Sequence, residues 1–385
     1  MTHPYDVDVA IIGYGPSGVA AANTLGARGV SFTAFERDRD IYPRARAVTV
    51  NDWTMRIFQS FGADEAVKRD MDVMRALRWI TYAGEELYRV DFPPSTLGGN
   101  ARFYTIYQPL MEATLREHAE RHTGGSVRYG TEVVGVEQDA DGVTVTARDL
   151  TTGRTTTTRA RYALACDGGS SPTRELLGVQ LDGDTLDVTW VVIDTYVKRW
   201  WPDRNLLTFW SDRDRPVVDI ALARGHHRWE IPLRPEESRA DFAAPGQIWP
   251  LLKAMGVSED DVEIHQHAFY KHHLRTADRW RVGRVFLVGD AAHLMPPWAG
   301  SGMQSGIRDA FDISWKLTYV LDGRMPDAFL DTYETERRPN VALYTSLSDQ
   351  LGKIVRLELS EEEMSELTAP PVAGEPAAEP PLIRR

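Results

Sequence analysis

Cysteine is almost absent from this chain of 385 residues, which contains a single one, Cys166. One thiol excludes an intramolecular disulfide and any cysteine-rich metal cluster. Long apolar runs are also missing, since none approaches the roughly 20 residues that a membrane-spanning helix needs. The first residues lead into a strand without a basic signal-peptide region. We therefore expect a cytoplasmic protein that does not insert into a membrane.

The chain also lacks an excess of positive charge. Its formal net charge of -12 at pH 7 repels phosphate, which argues against partners such as nucleic acid or anionic membranes. With 42% hydrophobic residues, a chain of this length buries a large core and is expected to form two intermixed domains. Small molecules are the expected partners, and the oligomeric state is left open.

A glycine-rich turn follows the first apolar segment. Residues 7–12, VDVAII, predict a buried parallel strand, and GYGPSG with Gly13, Gly15 and Gly18 leads directly into a helical pattern. Gly13 permits the turn, Gly15 lets the backbone approach a pyrophosphate, and Gly18 allows close packing of helix on strand. Glu36 ends the second strand, where a carboxylate binds ribose hydroxyls and repels a 2'-phosphate. The pattern predicts a bound adenine dinucleotide.

Two further strand-turn-helix points occur later in the chain. YALACDGGSSPTRELLG places Asp167 at a turn, Ser171 or Ser170 at a helix cap, and Arg174 on the first helical turn. VFLVGDAAHLMPPWAGSGMQSG places residues 289–290 at a turn and starts a helix near Gly302. Each is by itself an ordinary capped turn, but three of them indicate one extended ligand.

The order of these motifs resembles that of the FAD-dependent aromatic hydroxylases, single-component flavoprotein monooxygenases with the p-hydroxybenzoate hydroxylase fold. The similarity extends over residues 7–352, and the segments RWEIPLRPEE and DTYETERRP are most similar to the 3-hydroxyphenylpropionate hydroxylase and polyketide-tailoring hydroxylase subgroup. The resemblance implies an α/β fold in which a Rossmann-like FAD-binding domain carries an inserted, mainly antiparallel β-sheet substrate domain. The implied ranges are 1–74, 101–180 and 276–355 for FAD binding, 75–100 and 181–275 for substrate, and 356–385 for a linker-like tail. Many members of the family continue into a thioredoxin-like domain after such a tail.

The resemblance also implies which residues contact the cofactor. The implied FAD-binding residues are Gly13, Gly15, Gly18, Glu36, Arg37, Arg46, Gln108, Asp167, Arg174, Gly289, Asp290, Gly302, Met303 and Gln304. Arg44 is the alternative to Arg46, and the turn that contains Asp167 and Arg174 is also expected to dock NADH or NADPH. Free N–H groups at residues 302–304 would stabilise negative charge on reduced flavin. Arg308 and Asp309 are expected to be surface or packing residues.

The implied reaction uses NADH or NADPH to reduce FAD and O2 to form a flavin C4a-hydroperoxide, which hydroxylates a phenolic ring ortho to its hydroxyl. Pro297 is expected to be catalytic because its carbonyl accepts the substrate hydroxyl. His293 is a second catalytic candidate, with a structural role as the alternative. Aromatic side chains are expected to form the substrate pocket, with ordinary sheet packing as the alternative for each: Tyr196, Phe209, Trp210, Trp229 and Trp298.

Other functions stay open at this point. The same scaffold supports epoxidation or Baeyer-Villiger insertion on a polyketide-type ring, and a non-oxygenase FAD-binding protein that responds to redox state is a further alternative. His265 and His267 share a strand face, but carboxylate or cysteine ligands in a fixed pattern are lacking nearby, so no metal site is expected.

Overall fold

A computed structural model describes residues 4–358, which form 19 strands and eight α-helices. The strands are β1 (Val7–Ile12), β2 (Phe32–Phe35), β3 (Thr49–Asn51), β4 (Met71–Met74), β5 (Ala76–Ile80), β6 (Glu86–Asp91), β7 (Phe103–Ile106), β8 (Gly125–Arg128), β9 (Thr131–Gln138), β10 (Val143–Asp149), β11 (Thr155–Ala165), β12 (Leu181–Val197), β13 (Leu207–Trp210), β14 (Val217–Ala221), β15 (His226–Pro232), β16 (Val262–Ala277), β17 (Arg281–Val282), β18 (Val285–Leu287) and β19 (His293–Leu294). The helices are α1 (Pro16–Gly26), α2 (Asp52–Ser60), α3 (Asp64–Lys68), α4 (Gln108–Ala119), α5 (Pro172–Leu176), α6 (Pro245–Lys253), α7 (Gly302–Leu321) and α8 (Thr332–Val355). Short 3-10 segments include Gly289–Ala291 and Pro297–Ala299.

The first sheet has a parallel centre in the order β8-β2-β1-β11-β18, to which β17, β10 and β9 add antiparallel strands. Its central strand β1 is apolar except at Asp8, and its last four residues are buried, as expected for a strand covered on both faces. All three motifs follow strands of this sheet, namely β1, β11 and β18. The carboxyl ends of parallel strands share one sheet edge, so the three turns lie on the same side of the molecule.

Two glycines let helix α7 start close to helix α1. A Cβ atom on Gly289 would lie 2.5 Å from the Oγ atom of Ser17, and one on Gly306 would lie 2.4 Å from the same atom. Both approaches are too short for any side chain, so the third motif packs directly against the first. The two helix N-termini therefore lie side by side.

The second sheet has the order β19-β16-β12-β15-β14-β13-β5-β6 and is antiparallel except for the β13–β5 pair. Residues facing each other across β13, β14 and β15 include Phe209, Val218 and Glu230. Their chain neighbours Trp210, Val217 and Trp229 point to the opposite face, because successive side chains of a strand alternate. That opposite face packs against helix α6.

The predicted combination of a Rossmann-like domain with an inserted antiparallel sheet is confirmed. Within residues 4–358, no helix has the length and apolar character needed to cross a bilayer. The predicted tail, residues 356–385, lies outside the described residues after position 358.

Candidate functional site

One cavity of about 370 Å³ joins the three motifs to the second sheet. Its lining includes the start of α1, the segments around residues 46–53 and 288–303, and one face of β13, β14 and β15. The predicted site residues that line it are Gly15, Arg46, Gln108, Phe209, Asp290, Pro297, Trp298, Gly302 and Met303. The remaining predicted residues lie outside the lining, and several of them hold it in place.

The glycines of the first motif have different surroundings. Gly13 has φ +91°, and a Cβ atom there would lie 2.5 Å from the carbonyl oxygen of Cys166. A Cβ atom on Gly18 would lie 2.1 Å from the carbonyl oxygen of Gly13. At Gly15, by contrast, nothing lies within 4 Å of the Cβ position, and the residue faces the cavity. Helix α1 has no side-chain cap and no acid in its first turn, so its N–H groups are free to bind an anion.

Glu36 connects the second strand to the glycine-rich turn. One carboxylate oxygen accepts a hydrogen bond from the Tyr14 amide at 2.7 Å, and the other accepts from the Asp38 amide at 2.9 Å. A carboxylate has about four lone-pair positions, so these bonds leave capacity for ribose hydroxyls. Arg37 does not line the cavity; its exposed side chain lies 3.7 Å from Asp38.

Gln108 holds the arginine-bearing loop against the cavity. Its buried side-chain oxygen accepts hydrogen bonds from the amides of Arg46 at 2.9 Å and Ala47 at 2.8 Å. Arg46 lines the cavity, whereas Arg44 does not. The geometry therefore favours Arg46 over Arg44 as the arginine near the cofactor.

Arg228 supports the same loop from the second sheet, a role that the sequence interpretation missed. Its guanidinium is buried and donates two hydrogen bonds to Asp194, at 2.7 and 3.0 Å. It also donates to the carbonyl oxygens of Ala45 and Arg46, the latter at 3.2 Å. The sequence signal for this role was the segment HRWEIP, in which charged residues alternate with apolar ones along a strand.

The start of helix α7 presents backbone N–H groups to the cavity. Gly302 and Met303 line it, and the helix has neither a side-chain cap nor an acid in its first turn. The Gln304 side chain does not line the cavity, because its oxygen accepts from the Asn51 amide at 2.8 Å and from the Thr54 hydroxyl at 2.9 Å. The Gln304 side chain therefore binds protein groups rather than a ligand.

Asp290 presents a carboxylate to the cavity from the 3-10 turn Gly289–Ala291. Among the residues that the structure describes, none forms a hydrogen bond with this side chain. Two uncapped helix N-termini and a free acid in one cavity fit FAD, which carries negative charge at the pyrophosphate and the reduced ring and hydroxyls on its ribityl chain.

The second motif supports the turn of the third motif without placing its charged side chains in the cavity. Asp167 accepts hydrogen bonds from the Ser171 hydroxyl and, at 3.0 Å, from the Thr173 amide. Arg174 is buried and donates to the carbonyls of Gly169 at 3.0 Å and Ala291 at 3.2 Å. Neither Asp167 nor Arg174 lines the cavity, although Gly168 does. The motif thus connects its own turn to that of the third motif.

His293 belongs to a buried ionic cluster rather than to the cavity wall. Its Nε2 atom lies 2.6 Å from an Asp309 carboxylate oxygen, whose partner oxygen accepts from Arg337 at 2.7 Å. Burial alone would raise the pKa of Asp309, yet Arg337 and His293 together lower it. Of the two roles expected for Arg308 and Asp309, surface or packing, the structure shows packing, because both residues are buried; the Arg308 guanidinium covers the Tyr344 ring.

The cavity has an apolar wall, formed by Leu207, Phe209, Val218 and Ile220 of β13 and β14. Trp298 lines the cavity next to Pro297 and packs in one cluster of buried side chains with Phe209 and Val218. The carbonyl of Pro297 accepts a hydrogen bond from the Gly300 amide at 2.7 Å.

Three of the predicted pocket aromatics do not line the cavity. Trp229 is fully buried on the opposite face of the second sheet, and Trp210 donates to Asp219 at 3.0 Å. Tyr196 lies near the end of β12, is 41% exposed and packs against His226. Strand alternation explains Trp210 and Trp229, since their neighbours Phe209 and Glu230 face the cavity.

Comparison with known proteins agrees with the family resemblance found in the sequence motifs. A protein-family model described as "FAD binding domain" matches residues 6–348. The chain is 39% identical over 348 residues to a 3-(3-hydroxy-phenyl)propionate/3-hydroxycinnamic acid hydroxylase of Burkholderia cenocepacia (strain HI2424), covering 90% of this chain and 63% of that protein. It is 36% identical over 350 residues to a probable NADH-specific resorcinol 4-hydroxylase of Rhodococcus jostii (strain RHA1), covering 90% and 65%.

A solved structure shows the same fold. The ternary complex of aklavinone-11 hydroxylase with FAD and aklavinone matches with a TM-score of 0.83 at 26% identity, covering 94% of this chain and 71% of that one. The chain spans less than two thirds of the length of the two hydroxylases matched by sequence. Because the family model matches nearly the whole of the described chain, the protein belongs to the FAD-binding domain family.

Proposed function

We propose that this protein is an FAD-dependent monooxygenase that uses NADH or NADPH and O2 to hydroxylate a phenolic ring. The observation that carries the proposal is the single cavity, in which two uncapped helix N-termini meet an apolar wall. When bound, FAD supplies the redox chemistry, taking a hydride from the nicotinamide and activating O2. The protein itself binds FAD and the substrate, orients the substrate ring and excludes water from the cavity.

Each end of the cavity has its own proposed task. The N–H groups around Gly15 hold the pyrophosphate, Glu36 the ribose and Asp290 the ribityl chain, while the backbone of residues 302–304 stabilises negative charge on the ring. Arg46, whose backbone is held by Gln108 and Arg228, would contact the bound cofactor from the 46–53 segment.

The apolar wall and Trp298 enclose the substrate ring and exclude water. The Pro297 carbonyl is the proposed acceptor that orients the substrate hydroxyl. Both hydroxylases matched by sequence are named for single-ring phenols, which supports a substrate of that size. The cytoplasm is the proposed location, supported by a lone cysteine that is buried and unpaired.

The proposal is tested by measuring NADH and NADPH oxidation by the flavin-loaded protein with a panel of phenols, including resorcinol and 3-(3-hydroxyphenyl)propionate. We expect at least one phenol to accelerate oxidation with little hydrogen peroxide released. Benzene derivatives of the same size without a hydroxyl serve as controls and should not accelerate it. If no phenol differs from these controls, the proposed function is wrong.

A further inference from the structure

Glu230 is a buried carboxylate at the edge of the apolar wall. It is 7% exposed, lines the cavity, and lies opposite Val218 in the β14–β15 pair. One of its oxygens, Oε2, accepts a hydrogen bond from the Tyr270 hydroxyl at 2.7 Å. The other, Oε1, lies 3.7 Å from the Arg228 guanidinium, beyond hydrogen-bond distance. No described residue forms a hydrogen bond with Oε1.

We propose that Glu230 receives the phenolic hydroxyl of the substrate and accepts its proton during hydroxylation. This inference rests on the proposed function and assigns it a further catalytic residue. Burial of a carboxylate in an apolar surface is unfavourable unless a partner compensates it. A phenol donating to Oε1 would supply that partner, and its ring would lie against Val218 and the rest of the apolar wall.

The other acceptors that line the cavity are less suited to this task. Asp52 already accepts from the Trp53 amide at 2.9 Å and from the Thr96 hydroxyl at 2.6 Å. Asp290 lies at the cofactor end, on the 3-10 turn that follows β18. The Pro297 carbonyl can orient a hydroxyl but, as a neutral amide oxygen, cannot hold its proton.

The step itself is a proton transfer. The phenolic O–H bond breaks, the proton goes to Oε1 of Glu230, and the electron pair stays on the phenolic oxygen, where it makes the ring more nucleophilic. After a ring carbon has gained its oxygen atom, that carbon loses its hydrogen to water as a proton, the C–H electron pair restores the aromatic ring, and the phenolic oxygen takes its proton back from Glu230, which is ionised again.

The surroundings of Glu230 suit a proton acceptor. Burial raises the pKa of Glu230, although Arg228 and Tyr270 oppose the rise, and nearby Asp194 adds to it. A raised pKa brings the carboxyl closer to the pKa of a phenol, so less free energy is lost in the transfer. The strand β14 contributes only apolar side chains to this face, Val218 and Ile220.

A binding experiment tests the inference without catalysis. The probe is 4-nitrophenol, whose affinity for the flavin-loaded protein is measured across its own pKa. If Glu230 accepts the hydroxyl of the probe, ionised 4-nitrophenol is repelled by the Glu230 carboxylate, so only the neutral probe binds well. The wild-type affinity should then fall by about tenfold per pH unit above the pKa of 4-nitrophenol. In Glu230→Gln the fall should largely disappear. Asp219→Asn removes a carboxylate from the opposite face of the same sheet and should keep the wild-type slope.

Steady-state kinetics provide a second test of the role of Glu230. Glu230→Gln should retain flavin but lose about 100-fold in kcat with neutral phenols, in the range of a lost general base. The loss should shrink with phenols that are already ionised at the assay pH. Tyr270→Phe keeps the carboxylate but removes a hydrogen bond that lowers its pKa, so the acid limb of the pH profile should move to higher pH. This variant also serves if Glu230→Gln does not fold.

The outcomes separate the two proposals. If the wild type hydroxylates no phenol but its nitrophenol affinity still falls with pH through Glu230, the proposed function fails while the assignment of the phenol site stands. If hydroxylation proceeds and neither the slope nor kcat changes in Glu230→Gln, the inference is overturned and the Pro297 carbonyl suffices.

Discussion

Replacement of Gly15 by alanine should separate cofactor binding from folding. The Cβ position of Gly15 has no neighbour within 4 Å and lies at the cavity, with φ at -72°, so alanine fits the protein without strain. The added methyl group occupies the space that we assign to the FAD pyrophosphate. We therefore expect Gly15→Ala to fold normally and to bind FAD more weakly.

The size of the effect follows from the structure. An extra methyl group in a close-packed contact costs about 1–3 kcal/mol, which corresponds to roughly 5-fold to 150-fold weaker FAD binding. The apoprotein should lose about 1 kcal/mol, because alanine is a poorer helix N-cap than glycine. Flavin fluorescence titration gives the dissociation constant, and thermal unfolding of the apoprotein gives the stability.

Two other glycines serve as controls. Gly18→Ala would place its Cβ atom 2.1 Å from the Gly13 carbonyl oxygen, so it should destabilise the apoprotein itself. Gly246 in helix α6 has open space around its Cβ position and lies outside the cavity, so Gly246→Ala should leave FAD affinity unchanged. The reasoning is refuted if Gly15→Ala binds FAD as tightly as the wild type.

Three further predictions concern the residues around the cavity. Arg228→Gln should leave Asp194 buried without its charged partner, lower the free energy of unfolding by about 3–5 kcal/mol and weaken FAD binding; unchanged urea unfolding would contradict this. The lowered pKa of Asp309 gives stability that is present above the ordinary aspartate pKa and is lost as pH falls through the folded value. Asp309→Asn should therefore be less stable at pH 7 and lack this acid-dependent loss in pH-dependent unfolding. Phe209→Leu should raise KM for a phenol several-fold, whereas Trp229→Phe should change stability alone; a similar KM change in both would show that sheet packing controls affinity.

The three strand-turn-helix motifs could be predicted because each is a local sequence pattern. The contacts of Gly13, Gly15 and Gly18 lie within a few residues or on the adjacent strand. The local sequence is therefore enough to predict their surroundings. Helix α7 begins at Gly302, as predicted, and helix α5 is capped by Ser171, one of the two predicted cap residues.

The apolar wall of the cavity could not be predicted in the same way, since it depends on how distant strands pair. Trp229 and Glu230 are neighbours in the chain, yet only Glu230 faces the cavity. Alternation shows that the two residues face opposite ways, but not which of the two faces lines the cavity. The contact of Arg228 with the carbonyl of Ala45 joins residues 183 positions apart, and no local pattern records it.

The tryptophan-rich strands were a poor guide to the cavity lining for a related reason. A run of strands rich in tryptophan indicates a large hydrophobic core as readily as an aromatic pocket, and Trp229 belongs to the core beside helix α6. The helpful signal was the charged residue in the apolar strand, because Glu230 is buried only where a polar partner is available.

The most direct test of the central claim is the mass of the product formed under isotopically labelled O2. The flavin-loaded protein is supplied with NADH or NADPH and the phenol that most accelerates oxidation, and the products are analysed by mass spectrometry. The account predicts a product heavier than the substrate by one oxygen atom, with the label derived from O2. A phenol recovered unchanged while the nicotinamide is consumed, or a product whose added oxygen comes from water, would contradict it.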